Sequence, residues 1–213
     1  MSRRLLLVAV LTLGASTLVA VPAAGSSLRT GSSFYVVEPD PRMCPSPLCG
    51  GYWVSLANHA STRCADGMLR ARCYAARAED AVGIPVSAIP DQALVRGRLE
   101  PDRDDLGLLV VARLFEPAGK AKPTGRYFRL VDTGIRCVRE PCFSMRASLL
   151  NSSTSTLISG VVLSTLGHQR NLEERVLAEL GARNGVLVRG RVVVNPIGGR
   201  ELHASRFYLR SAS

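Results

Sequence analysis

The residues of this chain with reactive chemistry to offer are its six cysteines and three histidines. The cysteines stand at Cys44, Cys49, Cys64, Cys73, Cys137 and Cys142. A dithiol redox centre has two residues between its cysteines. The tightest pairs here, Cys44/Cys49 and Cys137/Cys142, have four. A zinc site gathers four ligands at short spacing, and His59, His168 and His203 stand singly. What remains for the cysteines is disulfide formation, for which six of them allow 15 pairings.

An internal repeat cuts that number down. Shifted by 93 positions, Cys44 falls on Cys137, Cys49 on Cys142, Asn58 on Asn151, and Leu94-Val95-Arg96-Gly97-Arg98 on Leu187-Val188-Arg189-Gly190-Arg191. No gap is needed, and 14 of 82 positions from Phe34 to Phe115 are identical. If the copies fold independently, Cys137 pairs with Cys142, Cys44 with Cys49 by register, and Cys64 with Cys73 by remainder. The register sets Leu157 and Leu166 opposite the last pair, as expected if both positions face inward. Gly67 aligns with Gly160.

Catalytic patterns are missing from the sequence. There is no nucleophile elbow, no Ser-x-x-Lys and no phosphate-binding glycine loop. Asp102, Asp104 and Asp105 lack the glycine and distal glutamate of a calcium loop and read as a solvated turn. Asn151-Ser152-Ser153 matches a glycosylation acceptor. Tyr52 and Trp53 are expected in the core. No enzyme is expected, and no cofactor or metal.

Two loops and one patch are the candidate recognition features. Pro45-Ser46-Pro47-Leu48 would be closed by one bridge and stiffened by proline, so a partner would find it already ordered. Its counterpart, Val138-Arg139-Glu140-Pro141, is charged. The candidate basic patch is Arg189, Arg191 and Arg206, beside Phe207 and Tyr208. Charge favours the second copy: residues 34–115 hold nine Arg against ten acids, and residues 127–208 hold eleven against six.

The elements that would position these features are mostly strands. Phe34–Val37, Tyr52–Leu56 and Leu69–Ala76 are β-rich, with Asp66-Gly67 as a hairpin turn. Asn171 would cap a helix carrying Leu172, Val176, Leu177 and Leu180 at helical spacing, closed by Gly181. Pro85 and Pro90 shorten or loop the matching region. Ala93–Leu99 and Leu108–Phe115 form a last hairpin, repeated by 186–194 and 202–209. The fold class expected is mainly β with minor α: two tandem modules of order β-β-β-α-β-β, each a small OB-like barrel or an open antiparallel sheet. A glycine in the fourth strand would let a barrel strand bend.

The stretch from Pro41 to Val54, Pro-Arg-Met-Cys-Pro-Ser-Pro-Leu-Cys-Gly-Gly-Tyr-Trp-Val, resembles the opening signature of a family of secreted bacterial domains of unknown function. Arg63-Cys64-Ala65-Asp66-Gly67, Arg72-Cys73-Tyr74 and Leu94-Val95-Arg96-Gly97 resemble it too, and Gly134-Ile135-Arg136-Cys137 keeps its outline. The resemblance implies secretion, disulfides and a bacterial envelope setting, with no activity to carry over.

The ends and joins complete the organisation. Arg3 and Arg4, an apolar run from Leu5 to Ala20 and the small residues Ala23 and Ala24 read as a signal peptide over 1–24. Residues 25–33 are a linker, 34–117 the first cysteine-loop module, 118–125 a linker and 126–210 the second module. The functional expectation is a secreted, extracellular or periplasmic, non-enzymatic binding module with an envelope or extracellular protein as partner. The alternatives are inhibition of a secreted hydrolase through loop 44–49 and binding of an acidic polymer by the basic second module.

Overall fold

The computed structural model describes residues 31–86, 88–103, 106–119, 122–163 and 170–211. The leader expected at 1–24, His168, Leu166, Asp104 and Asp105 lie outside them. The described strands are β1 (Ser33–Pro39), β2 (Tyr52–Leu56), β3 (Thr62–Arg63), β4 (Leu69–Arg70), β5 (Cys73–Asp80), β6 (Ala93–Pro101), β7 (Gly107–Ala118), β8 (Arg126–Asp132), β9 (Met145–Leu149), β10 (Ser155–Ile158), β11 (Gly160–Val162), β12 (Val186–Val194) and β13 (Arg200–Arg210). The one helix among the described residues, α1, spans Arg170–Gly181.

The open-sheet alternative is overturned by the pairings. Strand β1 pairs with both β2 and β6, β2 pairs with β5, β6 pairs with β7, and β5 meets β7 in parallel. The parallel contact closes a five-stranded barrel. Around β8 the order recurs: β8 pairs with β9 and β12, β9 with β10, β12 with β13, and β11 meets β13 in parallel. Strand β13 also pairs with β7 between Phe207–Arg210 and Phe115–Ala118, joining the strands into one sheet.

Gly97 and Gly190 do what the fourth-strand glycine predicts. Each follows a register shift in its hairpin, at Arg96/Gly97 and Arg189/Gly190. A Cβ at Gly97 would lie 2.2 Å from the Val110 carbonyl oxygen, and one at Gly190 2.4 Å from that of His203. The bulge brings two backbones too close for any side chain.

The ungapped register fails in the third strand. Tyr52 pairs with Ala75 while its counterpart Met145 pairs with Ile158, so these strands match at 83 residues instead of 93. The first half has a small extra hairpin, β3–β4, before its third strand, tied by Cys64–Cys73. The second half has α1 after its own, where the first half has only a turn around Asp80 and a Glu79–Pro85 bridge. The extra hairpin and the extra helix offset each other in length, so the later strands match at 93 again. Gly67, in a turn at φ 78°, is therefore not equivalent to Gly160, which starts β11. Cys64 and Cys73 are buried, but Leu157 is 37% exposed because it does not replace a cysteine.

Helix α1 departs from its pattern in two places. Asn171 lies inside the helix and does not cap it. Val176 is buried and Leu172 and Leu180 pack on the core, whereas Leu177 is 52% exposed.

Three apolar clusters result. One fills the five-stranded barrel around Val37, Val54, Val95 and Leu109, and one lies among the later strands and α1 around Leu130, Ile158, Val188 and Phe207. The third lies on the seam and contains Phe34, Ala57, Leu94, Phe115, Tyr127, Leu150, Leu187 and Tyr208. These eight form four pairs, each 93 residues apart. Two asparagines close the seam reciprocally. Asn58 donates to the carbonyls of Tyr127 (2.8 Å) and Leu150 (3.1 Å) and accepts from the Tyr127 amide (2.8 Å). Asn151 donates to Phe34 (2.8 Å) and Ala57 (3.0 Å) and accepts from the Phe34 amide (2.8 Å). Both have left-handed backbone, at φ 66° and 57°, which asparagine tolerates better than most residues. The Asn151 amide is thus occupied at the seam and is not a free glycan acceptor.

Candidate functional site

The cysteines form three local bridges, Cys44–Cys49, Cys64–Cys73 and Cys137–Cys142. The first closes the connection between β1 and β2, and the third the connection between β8 and β9. In OB-type barrels this connection is one of the loops that carries ligands.

The first loop is braced from beneath by the residues around it. The Asp40 amide donates to the Gly51 carbonyl at 2.9 Å, pinning the loop's base. The Asp40 carboxylate is buried and accepts from Arg42 Nε at 3.0 Å and from Trp53 Nε1 at 3.3 Å. The Arg42 hydrogen bonds hold the Asp40 carboxyl below its ordinary range despite burial. From this anchor Arg42 Nη2 donates to the Leu48 carbonyl at 3.0 Å. Tyr74 OH donates to the Pro47 carbonyl at 3.0 Å and accepts from the Gly51 amide at 3.2 Å. Gly51 is required there, since a Cβ would meet the Ala75 carbonyl oxygen at 2.2 Å.

Trp53 is the centre of this brace and not a core residue. It is half-buried, meets the Tyr74 ring edge-on at 5.4 Å, and lies between Arg42 and Arg72, at 5.1 and 4.5 Å from its ring. Tyr52, also half-buried, packs against the first barrel's core. A shallow cleft of about 470 Å³ opens beside Trp53, lined chiefly by Glu38, Asp40, Arg42, Arg72 and Asp91.

Above the brace, Pro45, Ser46, Pro47 and Leu48 are all exposed, and Cys49 is buried. Met43 is 103% exposed and Leu48 61%. The loop therefore presents two apolar side chains on a backbone that a disulfide, a guanidinium and a phenol hold in place.

The second loop has the base without the brace. The Thr133 amide donates to the Ser144 carbonyl at 2.9 Å, as Asp40 does to Gly51. Ile135 stands where Arg42 does, Arg146 where Trp53 does, and Leu157 pairs where Tyr74 would. Arg136 instead forms a two-pronged pair with Asp132, at 2.8 and 3.0 Å.

Of the candidate basic patch, Arg189 and Arg206 face each other across β12–β13, and Arg191 is exposed one turn of the pleat away. Arg189 is engaged, lying over the Tyr127 ring at 4.8 Å and donating to the Gly125 carbonyl. Phe207 and Tyr208 are fully buried and offer no stacking surface beside the arginines. No group of three or more His, Cys, Asp and Glu among the described residues is arranged to hold a metal.

The sequence reading missed Asp40 and the roles of Arg42, Arg72 and Tyr74. The signal was present: Arg42, Trp53, Arg72 and Tyr74 all lie in the family-like stretches, and an Asp-x-Arg step before a cysteine loop is a ready bracket for its backbone.

The fold is thus a five-stranded barrel whose first two strands are joined by a disulfide-closed, braced loop. The chain belongs to the family described as a domain of unknown function, DUF6748, whose model matches residues 33–213. No curated protein and no solved structure matches the chain.

Proposed function

We propose that this chain is a secreted or envelope-associated, non-enzymatic binding module that recognises a protein partner through the Cys44–Cys49 loop. The observation that carries the reading is the exposure of Met43 and Leu48 on a loop fixed at Pro47 and Leu48 by Tyr74 and Arg42. A loop ordered before contact loses little entropy on binding, and exposed apolar side chains at a rigid site are typical binding anchors. The loop's place in the barrel adds support by analogy of fold alone. Within the brace the Tyr74 hydroxyl and the Asp40 carboxylate are both engaged, which suits holding a shape more than moving protons. Three disulfides are compatible with an oxidising compartment. No helix among the described residues is long and apolar enough to cross a membrane. The two sets of strands are read as copies of one barrel, of which only the first carries the brace.

The test is capture from the producing culture's secreted and envelope fractions, using mature oxidised protein and its Leu48→Asp variant. A partner retained in high salt, lost with Leu48→Asp and lost on reduction supports the reading. A partner indifferent to Leu48→Asp refutes it. If the captured protein is a hydrolase whose activity falls, the module acts as its inhibitor. Retention of acidic polymers alone, released by salt, moves the function to Arg189, Arg191 and Arg206.

A further inference from the structure

Six arginines sit beside carboxylates: Arg42 with Asp40, Arg70 with Asp66, Arg72 with Glu38, Arg77 with Glu79 and Asp102, Arg98 with Glu100, Arg136 with Asp132. Four on the seam do not. Arg96 from β6, Arg113 from β7, Arg129 from β8 and Arg210 from β13 line one narrow cleft floored by Phe34, Phe115 and Leu187. None of the four has a carboxylate within ion-pairing distance among the described residues.

Two of the four side chains are held by neighbours. Arg96 and Arg113 face each other across the β6–β7 hairpin. Arg96 Nε donates to Ser32 Oγ at 2.9 Å, and Arg129 lies over the Phe34 ring at 5.5 Å. Burial, together with the positive charges of Arg96 and Arg210, pushes the Arg129 guanidinium below its ordinary value. It stays charged, because arginine does not deprotonate in proteins. Like charges so gathered repel in a partly desolvated place, and a bound anion removes the repulsion.

We propose that Arg96, Arg113, Arg129 and Arg210 form a binding site for a single tetrahedral oxyanion group, a phosphoryl or sulfo group, on the seam between the two barrels. Guanidinium forks match the oxygens of such groups bidentately. Forks arriving from four strands suit a group with oxygens in several directions better than a planar carboxylate. The cleft, about 40 Å³, is the size of a small ionic group. Among the described residues the site occurs once. In the 93-residue register Arg189 and Arg206 repeat Arg96 and Arg113, but Arg129 falls on Val36 and Arg210 on Pro117.

Titration calorimetry on the whole oxidised chain at low ionic strength tests the site, with inorganic phosphate, inorganic sulfate and glycerol phosphate as probes and chloride at matched ionic strength as control. Saturable one-to-one binding is expected with phosphate or sulfate and not with chloride. Glycerol phosphate binding as well as phosphate would mark an esterified group as the source; binding of the inorganic ions alone would mark a free ion. Arg113→Gln and Arg210→Gln should each weaken binding roughly tenfold or more, from the loss of a charge-assisted hydrogen bond, and Arg191→Gln, outside the cleft, less than twofold. Phosphate should also raise the thermal midpoint of the native chain and leave that of the Arg113→Gln/Arg210→Gln double variant unmoved. Equal effects of chloride and phosphate, or equal weakening by Arg191→Gln and Arg113→Gln, would overturn the proposal.

Discussion

Replacing Asn151 by glycine tests whether the seam depends on its asparagine pair. Glycine accepts the φ of 57° without strain, so the substitution removes the hydrogen bonds and little else. Three bonds go: two donated to the carbonyls of Phe34 and Ala57, and one accepted from the Phe34 amide. The Phe34 carbonyl keeps its bond from the Ala57 amide at 3.0 Å. The Phe34 amide and the Ala57 carbonyl are left unpaired in buried residues. At about 1–1.5 kcal/mol for each orphaned group, the loss is about 2–3 kcal/mol. Asn151→Ala should cost about 1 kcal/mol more, since alanine must also be forced into the left-handed region. Urea unfolding followed by circular dichroism, with the disulfides intact, reads the effect. With a slope of about 2 kcal/mol/M for a chain of this size, the Asn151→Gly midpoint should fall by about 1–1.5 M. A fall below about 0.25 M, near 0.5 kcal/mol on that slope, would show that water replaces the clamp and that apolar contacts alone hold the seam.

Three further outcomes follow from the same geometry. Gly97→Ala and Gly190→Ala should each lose about 2 kcal/mol or more in urea unfolding, because each Cβ would strike a backbone carbonyl, at 2.2 and 2.4 Å. Gly67→Ala meets nothing within 4 Å and should lose only about 1 kcal/mol, for its positive φ. Tyr74→Phe removes the bonds to Pro47 and Gly51; reduction of Cys44–Cys49 by dithiothreitol should speed up severalfold, while that of Cys137–Cys142 stays unchanged. Hydrogen bonds from Arg77 and Arg136 bring the carboxyls of Asp102 and Asp132 down to about 2. An unfolded aspartate titrates near 3.9, so both groups stabilise the fold fully above about pH 4 and lose that contribution as pH falls through about 2. The Asp102→Asn/Asp132→Asn variant should therefore lose less stability than the native chain between pH 5 and pH 2.

Local features of the fold were legible because local rules govern them. Tyr52–Leu56 is rich in aromatic and β-branched residues, and it forms a strand over those residues. Gly97 interrupts an apolar strand pattern, and the chain bends there. The cysteine pairs follow the shared register, with Cys64 and Cys73 left for each other, and all three form. The braced loop was half legible. Pro45 to Leu48 stand exposed, as a cross-linked proline turn would, but no period in the sequence shows that Asp40, Arg42 and Tyr74 meet beneath them. Those contacts form only when β5 is laid beside β2.

The third strand shows why a constant offset can mislead. A disulfide hairpin before β5 and a helix after β11 offset each other in the sequence count and leave 93 at both ends. Composition gives no mark where the register slips and where it returns, and Gly67 above Gly160 looks like support. Hydrogen bonding reveals the slip, because it fixes partners one residue at a time: Ala75 with Tyr52, Ile158 with Met145. The seam was hidden for a related reason. Phe34, Leu94, Phe115 and their partners look like ordinary core positions of a single strand set, and burial alone does not say which barrel they serve. Their pairing at 93 residues, with Asn58 and Asn151 reciprocally bonded, has the self-complementary form of a two-fold interface. In such an interface each side repeats the other's contacts, so a change on one side can be answered on the other. The four-arginine cleft is the place where the two sides have diverged, with Arg129 against Val36, and so where the seam has become more than a joint.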